Sequence, residues 1–162
     1  MGAPRPCPTL AGFQNFIATV MGISSTVLPP SSPVILMAFA VALEIVNVAI
    51  NQASPLVYTL AVYNLGGSNL LNYAQDQPGA PPVAGSDPPL PFFAWTRKQW
   101  DLNGFVSGVV QSAGDQATST SLIVQEAAKN FTLGDLQNLK DPYGRQYLAF
   151  AQRYGPTIVG VS

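Results

Sequence analysis

Histidine does not occur in this 162-residue chain, which removes the commonest general base and the commonest metal ligand. Cys7 is the single cysteine, so an intrachain disulfide is impossible and a thiolate metal site has no second sulfur. The eight acidic residues are scattered, with no D-x-D or E-x-x-H spacing to aim two carboxylates at one substrate or one ion. The serines have no histidine to activate them. Gly104, Gly108 and Gly114 match neither the dinucleotide fingerprint nor a P-loop, and no Gly-Lys-Ser/Thr occurs. "NFT" at 130–132 fits a glycosylation sequon, but it reads better as a helix end at Asn130 followed by a cap at Thr132. The expectation is a protein that is not an enzyme and holds no cofactor and no metal.

Three polar groupings remain. Arg97 and Lys98 sit in "FFAWTRKQW", where interleaved aromatics could stack on single-stranded nucleic acid; the plainer reading is a loop anchored to the core by its aromatics, with the charges in water. Arg145 and Arg153 could pair with carboxylates or phosphates, or meet the acidic side of a neighbouring copy. Glu44, Asn47 and Asn51 fall at helical spacing and share one stripe of an otherwise apolar segment. That stripe would face a lumen, a partner or a hydrogen-bonded seam, or would simply be the water face of a monomer.

The segment carrying Glu44 frames the larger question. Glu44 is the only charge between Arg5 and Asp76. Over the whole chain charged residues reach 9% and apolar ones 48%, with a net charge of −1; about 25% charged is usual. A free monomer normally shows water a more charged surface. Lipid ranks behind protein as the covering medium. Residues 34–50 are at the lower limit of a span, carry a carboxylate, and lack flanking Lys, Arg or Trp. The near-neutral charge, without a dense basic patch, argues against nucleic acid as the main partner. The opening "MGAPRPCPTL" is expected to be neither a secretory signal nor, with Pro6 at the required hydroxyl position, a myristoylation site.

The elements follow from periodicity and punctuation, as one domain in three regions. Residues 1–74 read as an N-terminal helical part. One helix holds Leu10, Phe13, Phe16 or Ile17, Val20 and Met21. A second runs from Pro33 to about Gln52, with Ser32 as N-cap and Pro33 at N1. A third starts at Ser54-Pro55 and ends at Gly66-Gly67, with one or two further turns in "SNLLNYA". Residues 75–103 form a proline-rich loop, with six prolines in 75–91, followed by the aromatic segment. Residues 104–162 read as a β-hairpin turning at Gly114-Asp115, a capped turn at "TLGD" (132–135), and a helix with Asp141 as cap and Pro142 at N1. That helix stops at Gly155-Pro156, and a short apolar tail follows. The predicted fold is mainly α: a small helical bundle with a β-hairpin and an extended C-terminal tail.

"GVVQSAGDQATSTSL" followed by "LGDLQNLKDPYGRQYLAFAQRYGPTIVG" resembles the head-to-tail adaptor (connector, neck) proteins of tailed bacteriophages, and "VALEIVN…SPLVYTLAVYNLGG" adds to the likeness. Asp141 stands where that family's pattern suggests Thr; both residues cap helices. The resemblance implies a homo-oligomeric ring, commonly of twelve copies, in the neck of a virion made in the host cytoplasm. The ring binds beneath the portal protein, carries the next tail component (a nozzle or tail terminator), lines the DNA exit channel and touches no membrane. It also implies that Ile158, Val159 and Val161 in the tail dock on the portal. Another virion protein, such as a tail terminator or minor capsid component, is the next reading, then a small integral membrane protein.

Overall fold

The computed structural model describes residues 7–104, 109–112, 121–123 and 137–154. It is mainly helical. The helices are α1 (Leu10–Thr19), α2 (Pro33–Ile45), α3 (Ala49–Ala53), α4 (Pro55–Tyr73), α5 (Phe92–Gln99) and α6 (Pro142–Tyr154). Two short strands, β1 (Val109–Ser112) and β2 (Ser121–Ile123), pair antiparallel with Val109 opposite Ile123. The expected turn at Gly114-Asp115, the turn at 132–135 and the tail from Gly155 onward lie outside the described residues.

Each helix start has a local cause. Thr9 caps α1 by accepting from the Gly12 amide at 3.0 Å. Ser54 caps α4 by accepting from Val57, with Pro55 in the first turn where its missing N–H costs nothing. Ser32 and Pro33 open α2 as the sequence suggests, although the Ser32 hydroxyl makes no capping bond. Val20, assigned to the apolar face of the first helix, lies just past the end of α1 and is exposed.

α4 is the axis of the bundle. α1 and α2 pack on it, and so does α6. Its residues 61–68 are all buried. Against the expectation, the helix does not end at Gly66-Gly67 but continues to Tyr73. The two glycines act as a seat rather than a stop. A Cβ on Gly66 would lie 2.7 Å from the Phe13 ring, and one on Gly67 would lie 3.1 Å from Met21 Sδ. Phe13 is completely buried, with ring centroids 5.7 Å from Phe39 and 5.9 Å from Tyr63. Helical glycine costs about 1 kcal/mol relative to alanine; burying one phenylalanine returns about 2–3 kcal/mol. The seat wins.

The helix expected over 33–52 is two helices. Val46 leaves the helical region with ψ 122°, and α3 begins at Ala49. The break is chemical: the Asn47 side-chain oxygen accepts from the Ala49 amide at 2.8 Å, offering the backbone an alternative to the helical ladder.

Residues 77–91 form a loop whose ends meet. Asp76 accepts from the amides of Phe93 and Ala94 at 2.8 and 2.9 Å, capping α5 from across the loop. Inside, Val83 and Leu90 share a backbone bond, and the Ser86 hydroxyl bridges Val83 and Leu90. No residue from 75 to 91 is buried.

Candidate functional site

α2 has two unlike apolar sides. Ile35, Ala38, Phe39 and Ala42 face inward and are buried. Leu36, Met37, Val41 and Ile45, one helical turn apart in pairs, point outward and are 54, 66, 46 and 55% exposed. Val48, just beyond, is 64% exposed. These side chains present on the order of 500 Å² of apolar surface, near the top of the range for the largest patch on a monomer. Glu44 is the only charge among them; it is exposed and has no hydrogen-bond or ionic partner among the described residues.

The stripe expected from Glu44, Asn47 and Asn51 is therefore not one helix face. All three are exposed, but Glu44 belongs to α2, Asn47 spends its carbonyl oxygen on the α3 backbone, and Asn51 sits on α3. The residues that do form a continuous face with Glu44 are the apolar ones around it.

The C-terminal half of α4 holds α6 through Asp141. Asp141 has no solvent exposure. Its Oδ1 accepts from the amides of Tyr143 and Gly144, opening α6. Its Oδ2 accepts from Ser68 Oγ at 2.6 Å and Asn72 Nδ2 at 2.9 Å, both on α4. A serine beside a carboxylate could be a nucleophile with its base. Here both groups are sealed from solvent and one carboxylate oxygen is committed to the helix start, so the arrangement fastens α6 to α4. Gly144 is required in the same place, because a Cβ there would lie 2.1 Å from the Asn138 carbonyl oxygen. Tyr143 lies edge-on to Phe16 at 6.0 Å. Burial pushes its hydroxyl above the ordinary tyrosine value, and the Asp141 carboxylate pushes the same way.

Arg145 and Arg153 lie exposed on α6. Among the described residues the Arg145 side chain makes only a long bond, 3.4 Å, to the Leu139 carbonyl, and Arg153 lies over its neighbour Tyr154. Arg145 lines an open cleft of about 420 Å³ with Trp100, Lys140 and Pro142. Trp100 is 42% exposed there. Lys140 has no carboxylate partner among the described residues. Sequence reasoning missed this cleft, because it joins two segments about forty residues apart, and no local pattern announces their meeting. Ile158, Val159 and Val161 lie outside the described residues.

Arg97 is not free to meet nucleic acid. Its Nε donates to the Leu71 carbonyl at 2.8 Å and its Nη2 to that of Ala74, closing the C-terminal end of α4. Burial pulls the guanidinium below its ordinary value, and Asp76 offsets part of that pull. Lys98 Nζ donates to the Asp87 carbonyl at 3.1 Å, tying the loop to α5. Phe93 is buried as the anchor of the segment.

Among the described residues no group of histidine, cysteine or acidic side chains is arranged to hold a metal ion, and no helix is long and apolar enough to cross a membrane. No family model, no curated protein and no solved structure matches this chain.

Proposed function

We propose that this chain is a structural subunit of a homo-oligomeric ring, the head-to-tail adaptor of a tailed-phage virion, sitting between the portal protein and the next tail component. The observation that carries the reading is the uncovered outer face of α2, in a stretch where Glu44 is the only charge between Arg5 and Asp76. Covering about 500 Å² of apolar surface is worth on the order of 10 kcal/mol before the costs of association. That is enough to favour neighbours when a larger contact surrounds it.

The other parts fit the same role. β1 and β2, taken as one hairpin, are too small to be stable alone and need a neighbouring element. The apolar tail, with Ile158, Val159 and Val161, is suited to dock on the portal by adding an extended segment to it. A chain with a net charge of −1 suits a channel that DNA must leave without being gripped, since each phosphate contact adds a salt-dependent hold. Twelve copies is the number the sequence resemblance implies.

Negative-stain images of the purified chain mixed with portal protein test the proposal. The expected particle is a ring stacked coaxially on the portal. A chain that stays monomeric and ignores both portal and tail would overturn it.

A further inference from the structure

We infer that the outer face of α2 is covered by the Trp100–Lys140–Arg145 cleft of a second copy, with Glu44 as the charged centre of the contact; this deepens the ring reading and rests on it. Three observations lead there. First, the two surfaces are complementary in charge. Glu44 is the only charge on the apolar face, and the cleft presents Lys140 and Arg145 with no carboxylate partner among the described residues. Second, they are complementary in character. The exposed indole of Trp100 offers apolar area to Val41, Ile45 and Val48, which the cations alone could not cover. Third, they do not satisfy each other within one chain: Glu44 has no ionic partner among the described residues, and neither have Lys140 and Arg145.

The area points the same way. A stable contact needs about 800 Å² from each partner. The α2 face supplies more than half of that. Packing two α2 faces against each other would instead oppose two Glu44 carboxylates in an apolar setting, which is costly. Two different patches joined head to tail make a heterologous interface, which closes into a ring when the rotation allows and otherwise grows as a filament.

Charge reversal in the full chain tests the pairing. E44K alone, and K140E/R145E alone, should each weaken self-association at least about tenfold, as expected for a desolvated charge pair. Sedimentation velocity reads this, and the far-ultraviolet helical signal checks that each variant is folded. If either loses that signal, E44Q and R145Q replace them. Mixing the two reversed chains should restore assembly in an alternating order, because each ridge then meets a cleft of opposite sign. Variants that assemble like the parent, or a mixture no better than its components, would overturn the pairing and leave the ring reading standing. A parent chain that is monomeric at every concentration, and stays so when portal protein is added, would overturn both.

Discussion

Asp141 shows how one residue can be legible in sequence and still be misjudged in importance. Its place before Pro142 marks it as a helix cap, and it is one. The sequence does not show that its second oxygen takes donors from Ser68 and Asn72, 73 and 69 residues away, because such a meeting depends on how α6 lies on α4. Removing the carboxylate would leave the buried Ser68 hydroxyl and the buried Gly144 amide without their acceptor, and would take one acceptor each from the half-buried Asn72 and Tyr143. Asp141→Ala should therefore cost about 3–5 kcal/mol, the range for breaking a buried charged network. Ser68→Ala, which removes one donor and leaves the others, should cost about 1–2 kcal/mol. Urea unfolding followed by circular dichroism measures both, and equal losses would contradict this account. Arg97 gives the reverse lesson. Its type and aromatic neighbours read as a charge left in water beside a core-anchoring segment, with an external ligand as the lesser alternative; instead its Nε and Nη2 donate to the carbonyls of Leu71 and Ala74 at the end of α4, and composition cannot reveal that geometry.

At the scale of elements, the proline-marked helix starts were readable because their causes are local: Ser54 before Pro55, Asp141 before Pro142. The readings that failed depend on distant partners or on a side chain competing for the backbone. Gly66-Gly67 looks like a stop, but the Phe13 ring and the Met21 side chain occupy the space the two missing Cβ atoms leave, and no local pattern announces that. Asn47 looks like part of a polar stripe, but it breaks the helix. The glycines can be separated by experiment. Gly67→Ala presses only on the flexible Met21 side chain and touches the Phe16 ring at an ordinary contact distance of 3.5 Å, so the gain in helix propensity, about 1 kcal/mol, should leave stability unchanged or raised. Gly66→Ala presses on a ring boxed in by Phe39 and Tyr63, and should cost about 1–3 kcal/mol. Gly144→Ala drives into backbone at Asn138, which cannot move without disturbing Asp141, and should cost more than either. Thermal melts of the three variants check the order.

As a whole molecule, the described chain is apolar and almost uncharged from α1 through α4, and carries its cations on α5, on α6 and just before α6. The sequence shows the asymmetry, since charges are so rare before Asp76. It does not show that half of α2 is left uncovered, because periodicity alone cannot say how many neighbours a greasy helix has. If copies cover that face, association stabilises the folded form by mass action, and the melting temperature should rise with protein concentration. Calorimetry over a hundredfold range of concentration would show this, and a constant midpoint would contradict it. The proline-rich loop contributes no buried residue, and its base is cinched by the Asp76 contacts to Phe93 and Ala94. Its outer span is thus decoupled from the bundle's stability. A foreign epitope or a fluorescent label could be grafted there, giving each subunit an outward handle that leaves its packing undisturbed.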